Sequence, residues 1–381
     1  AVAAATEAFV SVAPRVDLGA VDPRIKGSPR HKDPTHRTKL GLKYLGAFLG
    51  DETWASRQFE DLVRDNLSNL GLVAEMDDTP RIDVARQAAH CLLKWCASAT
   101  HGFWLRAMRP SVVKAGARLH DELIADALLD MMHSKGAREA DAAVRQARLP
   151  VRLGGMGYSS ASDLRRSAWV ASWAATWGRM RALVPALSDV SIVSDTSLPS
   201  LAETRDALKT IRATHTHVTT VHARLDGTLV LETSHGMKGE RRVKKFQFHP
   251  DGLAEAAAIP SIEDIQEGEQ SPRMLKAQRA LSSGVAHLRW LELSDEARAR
   301  GRRAAAHFIA VSQPHAGAFL HAVPSAPDMR ISSSVFEVIV QRRLALPLTA
   351  LANVEFSANV GRVVDKCGDA VVVVGSATVV V

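Results

Sequence analysis

The spacing of apolar positions predicts a chain made mostly of helices. After Asp51, a capping residue, Trp54, Leu62, Val63, Leu67 and Leu70 fall near one face, which predicts a helix through about residue 76. Thr79–Pro80 reads as a new helix start, a cap residue followed by proline in the first turn. The helix behind it is expected to bury Ile82, Ala85, Ala89, Leu92, Leu93 and Cys96 as one stripe. Pro110–Ser111 opens another helix, with Val113, Ala117, Leu123, Ile124, Leu128 and Met131 inside, and 139–149 a shorter one. The glycines of LGGMG (153–157) interrupt the helical pattern and predict a tight turn. Ser160–Asp163 caps the next helix, on which Trp169, Trp173 and Trp177 recur at i, i+4 and i+8. A tryptophan stripe at that spacing reads as core in preference to a base-stacking platform. Ser200 with Glu203 forms a capping-box pattern for a helix to about 213. Further helices are expected over about 272–312 and 330–346.

Two stretches break the helical rhythm. GLKYLGAFLG (41–50) is a short apolar run bracketed by glycines, the signature of a strand or tight hairpin. Residues 215–250 alternate threonine and valine with polar positions, as strands do. Pro14, Pro23, Pro29 and Pro34 rule out a long helix in residues 1–40, which read as a basic irregular lead-in. The chain therefore divides into 1–40, a helical domain at 41–190, a mixed region with strands and an acidic linker (EDIQEGEQ, 263–270) at 191–270, and a helical region at 271–381. The last of these ends in the low-complexity, β-prone tail VVVVGSATVVV. The fold class expected is mainly α: a helical bundle followed by a second α-rich region with a small β element.

Charge changes this picture, because 381 residues carry a net +7. Such a balance favours polyanionic partners or plain solubility. No run of about 20 apolar residues is present to span a membrane, and no positively charged secretory leader opens the chain. An intracellular protein of the nucleus or cytoplasm is expected, processed or cut from a longer reading frame since it starts without methionine. Its oligomeric state is not readable. Three cysteines without CxxC spacing argue against a disulfide framework or zinc site, and Cys91 and Cys96 are expected as buried thiols.

Catalytic patterns fail one by one. LGGMG is neither GxxxxGK[ST] nor a GxGxxG that opens a helix after a strand. His215, His217 and His222 lack nearby ligands to complete a tetrahedral set, save His235 or Asp226 across a turn. Asp77–Asp78 could hold magnesium as a carboxylate pair, but before a helix start acidic residues are favoured by the dipole alone.

Three stretches, in order, resemble one family. GLKYLGAFLG is similar to the segment that follows the catalytic palm in reverse transcriptases of non-LTR, LINE-like retrotransposons, where it forms a primer-gripping hairpin before the helical thumb. QARLPVRLGGMGYSSASDLRRSAWVASWA (146–174) resembles the "LP…GGxG" stretch downstream of that thumb. AGAFLHAVPS (316–325) and FEVIVQRRLALPL (336–348) resemble its "GAWL…P" and "F…RLGLPL" segments, and Cys367–Gly368 stands where a short Cys motif begins. The family's aromatic-x-Asp-Asp turn does not precede Lys43–Gly46 here; Glu75-Met76-Asp77-Asp78 comes after it and lacks the aromatic. The Cys motif is incomplete.

The resemblance thus implies a thumb and connection without the palm, gripping RNA or DNA through its backbone. No chemistry or cofactor of its own is implied, the magnesium belonging to the parent polymerase. The residues it points to are Lys43, Tyr44, Gly46, Lys94, Arg106, Arg109 and Lys114. The alternative is a helical interaction or scaffold protein, or a decayed element product, with no nucleic-acid role.

Overall fold

A computed structural model describes residues 41–44, 46–75, 84–196, 198–215, 218–223, 229–235, 242–248, 261–268, 277–349, 362–364, 370–374 and 377–380. In chain order the elements begin with β1 (Leu42–Tyr44), β2 (Ala47–Leu49), α1 (Glu52–Asn66), α2 (Leu70–Glu75), α3 (Ala85–Cys91), α4 (Gly102–Ala107), α5 (Lys114–Met131), α6 (Ala140–Ala147) and α7 (Ala161–Leu183). Next come α8 (Pro199–His215), β3 (Val218–Ala223), β4 (Leu229–His235), β5 (Arg242–Phe248), α9 (Ile262–Glu267), α10 (Ala277–Ala299), α11 (Arg302–Val311) and α12 (Ser333–Arg343). Three strands close the chain: β6 (Arg362–Val364), β7 (Ala370–Val374) and β8 (Ala377–Val380). The protein is mainly helical, with small antiparallel β elements. No helix among the described residues is long and apolar enough to cross a membrane.

The chain forms two compact units that interleave along the sequence. Unit 1 comprises 1–63, 101–119 and 161–288; unit 2 comprises 64–100, 120–160 and 289–381.

In unit 1, α7 is the core helix. Trp169, Trp173 and Trp177 are all buried, their rings 5.8 and 5.4 Å apart in sequence, so the expected core stripe is what the fold uses. Leu201, Leu208 and Ile211 of α8, Ile265 of α9 and Leu281 of α10 pack into the same cluster. Trp169 Nε1 donates to Thr204 Oγ1 at 2.9 Å, which satisfies the polar edge of a fully buried indole. The acidic stretch expected as a linker is instead α9, set by a reciprocal capping box between Ser261 and Asp264. Its Ile265 is buried, so the segment is core and not spacer. Gly178 of α7 meets Gly268 so closely that a Cβ would lie 2.4 Å from the Gly268 carbonyl oxygen. β3, β4 and β5 form an antiparallel meander, as the alternation at 215–250 predicts.

Several expected helices come out shorter. Asp51 does cap α1, its Oδ1 accepting from Trp54 N at 3.0 Å. The helix then breaks at 67–69 before α2. The expected helix over 272–312 is divided at Gly301, whose φ of 119° a side chain would strain, into α10 and α11. The Thr79–Pro80 start, residues 1–40, the Asp77–Asp78 pair and Cys367–Gly368 lie outside the described residues.

Unit 2 is organised around α3 and its continuation. After Cys91 the chain widens into a π-helical turn, Leu92–Ala97, closed by the Ser98 amide on the Leu93 carbonyl at 2.8 Å. The extra residue per turn rotates the expected apolar stripe. Ala85, Ala89 and Leu93 stay buried, Lys94 turns inward, and Leu92, Trp95 and Cys96 turn out. Cys96 is therefore an exposed thiol, against the expectation from helical spacing, while Cys91 is buried.

Candidate nucleic-acid interface

In unit 1 the hairpin forms as expected, with Leu42 opposite Leu49, Lys43 opposite Phe48 and Tyr44 opposite Ala47. Gly46 sits in the turn at φ 89°, and its carbonyl accepts from Trp104 Nε1 at 3.1 Å. On β2, the Phe48 amide points to the Met108 sulfur at 3.2 Å, and its ring meets Trp54 edge-on at 6.0 Å. The hairpin is thus anchored to α4 and the residues just after it. Lys43 is exposed and, as the cross-strand partner of Phe48, shares its face, with Nζ 5.5 Å from the Phe48 ring. Tyr44 lies on β1, and its side chain falls outside the described residues.

The other basic residues of this unit divide by what already holds them. Arg106 is exposed and donates to the neutral amide oxygen of Gln278, so its charge is not cancelled. Arg109 is committed: it pairs with Glu203 at 3.0 Å and Glu52 at 3.4 Å. Glu203 also accepts from the Ser111 amide at 3.0 Å and the Ser111 hydroxyl at 2.7 Å. The Glu203 carboxylate thus caps the turn that leads into α5. Lys114 is exposed on α5 and has no ion pair among the described residues. Arg118, which the sequence reading passed over, is exposed one turn further on the same face. Its i, i+4 spacing from Lys114 was the available signal.

Lys94 belongs to unit 2 and is held differently. The residue is 8% exposed, and Nζ donates to the Leu320 carbonyl at 3.2 Å and to His321 Nδ1 at 3.5 Å. Burial, then the nearby Arg343 guanidinium, pull its pKa below the usual lysine range against the opposing influence of Cys91. His90, one helical turn earlier, accepts from or donates to the Tyr158 hydroxyl at 2.7 Å through Nδ1, and Nε2 faces Leu320 O at 3.3 Å. Burial foremost, then Lys94, lower the His90 pKa to about 3, and burial raises that of Tyr158. A neutral imidazole that cannot take a proton near neutrality is a packing group here, with Phe336 against its ring at 5.6 Å.

The glycine turn of unit 2 is knitted by a buried arginine. Gly154 and Gly157 adopt φ of 87° and 81°, and a Cβ on Gly155 would lie 2.0 Å from the Leu149 carbonyl oxygen. Arg343 of α12 donates to the carbonyls of Val151 at 2.9 Å, Ala316 at 3.0 Å and Gly155 at 3.1 Å. Burial lowers its pKa to about 10. Gln146 returns the link, giving Nε2 to Gly154 O at 3.1 Å and Arg343 O at 2.8 Å. On the far side of α3, Gln87 donates to Ala322 O and Met329 O and accepts from the Ile331 amide. Segments 146–158, 316–325 and 336–348 therefore meet in one polar-laced core, LGGMG serving as the expected turn.

No group of three metal-ligating side chains occurs among the described residues. His217 and the side chains of His215, His222 and His235 lie outside them. Comparison with family models, with curated proteins and with solved structures finds no match.

Proposed function

We propose that this chain is the thumb and connection that follow the palm of a non-LTR retrotransposon reverse transcriptase, and that it grips a nucleic-acid backbone without sequence preference and without chemistry of its own. The supporting observation is the meeting of 146–158, 316–325 and 336–348 around Arg343 and Gln146. Each segment resembles its family counterpart separately, and chance resemblances have no reason to converge on one core. The exposed cations Lys43, Arg106, Lys114 and Arg118 supply what backbone binding requires, since phosphate contacts need positive charge and no base readout. Lys94 and Arg109, already bonded within the fold, contribute first to its architecture.

The test is equilibrium binding of an RNA–DNA hybrid by variants that neutralise exposed cations. Lys43→Gln, Lys114→Gln and Arg118→Gln should each weaken binding and lower the salt slope by about one. If all three bind as the unsubstituted chain does, the reading fails and the scaffold alternative takes its place.

A further inference from the structure

The π-helical turn of unit 2 holds a basic feature different in kind from the exposed cations of unit 1. Lys94 is 8% exposed, with Nζ bonded to Leu320 O, and its ammonium lies 5.4 Å from the half-exposed Trp95 ring and 3.5 Å from Nδ1 of His321, an exposed residue. An ammonium carries three donors. The two acceptors that Lys94 meets, Leu320 O and His321 Nδ1, are both neutral, and no carboxylate pairs with it among the described residues. The groups that act on its charge are Arg343, which opposes it, and the Cys91 thiol. His321 is likewise lowered, by burial and then by Lys94. Basic groups gathered without a counter-charge are costly to keep charged, and an arriving anion relieves that cost.

Beside this cation stands an indole in water. Trp95 is 44% exposed, whereas Trp169, Trp173 and Trp177 of unit 1 are at most 2% exposed. The π turn is what brings Trp95 outward while it turns Lys94 in. A half-exposed aromatic face next to an uncompensated cation matches the two parts of a nucleotide, a flat base and a phosphate.

We propose that Trp95, Lys94 and His321 bind one nucleotide of a single-stranded nucleic acid, the base stacking on the Trp95 indole and the phosphate meeting the Lys94 ammonium. This rests on the nucleic-acid reading above and adds the strand state that the site selects. In a duplex the bases are stacked on one another and offer the indole no face. The exposed Leu72 and Leu92 of the same unit would favour an apolar peptide instead, and that occupant needs no phosphate.

The experiment measures the anisotropy of labelled oligothymidylate and of a labelled duplex of equal length, using the full chain across a salt series. Trp95→Leu should weaken single-strand binding about tenfold and leave duplex binding within about twofold, with an unchanged salt slope because stacking releases no counterion. Lys94→Gln should lower the single-strand salt slope by about one. Because Lys94 is buried, its melting curve is read alongside; Trp95 is exposed, so its variant tests the site even if Lys94→Gln unfolds. Single-strand binding unchanged by Trp95→Leu, or lost equally with duplex binding, overturns the site while leaving salt-dependent binding standing. Failure of the unsubstituted chain to bind either nucleic acid overturns the site and the proposed function together.

Discussion

Replacing Arg343 should open the glycine turn. Arg343 is 3% exposed, and its guanidinium makes three hydrogen bonds, to Val151 O, Ala316 O and Gly155 O, between 2.9 and 3.1 Å. In Arg343→Met the stem volume is largely kept, so the change isolates the donors. Gly155 O and Ala316 O lose their donor, at about 1–3 kcal/mol each, while Val151 O keeps the Gly154 amide at 3.1 Å. Part of this is returned, because a buried charge without a carboxylate partner is itself costly. A net loss of about 2 kcal/mol follows from the two orphaned carbonyls at the lower figure. The loss is local to unit 2, so hydrogen exchange of peptides spanning 146–158 is a better readout than a global melt. Exchange there should accelerate about thirtyfold if opening is the exchange route. Arg343→Lys should fall between the two, since a point donor cannot serve three divergent carbonyls. Acceleration of less than about tenfold in Arg343→Met, equivalent to about 1.4 kcal/mol, would refute the claim that this arginine holds the turn.

Three further outcomes are expected. His90 is neutral when folded, with its pKa lowered from 6.5 to about 3, so the unfolded chain binds more protons between those values and stability must fall as pH falls through that window. The slope should approach about 1.4 kcal/mol per pH unit in urea titrations and should flatten in His90→Phe if the buried imidazole is the cause. Gly155→Ala drives a Cβ to 2.0 Å from a backbone oxygen, and should cost more stability than Gly157→Ala, which strains an alanine at φ 81° but meets no atom nearer than the Lys94 Cε at 3.2 Å; circular-dichroism melts rank the two. Glu203→Ala removes acceptors from the Ser111 amide, the Ser111 hydroxyl and Arg109, and should lower unit 1 stability by about 2–4 kcal/mol, a loss that tryptophan fluorescence in urea would follow.

Local pattern made much of this fold readable. The 41–50 hairpin, the Asp51 cap, the tryptophan stripe of α7 and the glycine turn each follow from residues within a few positions of one another. The misses come from interactions that close over long separations or from a changed helical period. Spacing at 3.6 residues per turn put Cys96 inside; the π turn at Leu92–Ala97 shifts the phase, turning Cys96 out and Lys94 in. Lys94 was legible as a basic residue, but its bonds to Leu320 and His321 span more than 220 positions. The acceptor role of Glu203 toward Ser111 spans 92 positions, and the Arg343 bonds to Val151 and Gly155 span 192 and 188. A linear division by composition also cannot see units that alternate along the chain.

The most direct test of the central claim is the affinity of the unsubstituted chain for an RNA–DNA hybrid, measured as salt is raised. With about four phosphate contacts, the account predicts that affinity falls about a hundredfold between about 50 and 200 mM salt, and equally for unrelated sequences. Binding that stays flat across that range, or that depends on base sequence, would contradict it.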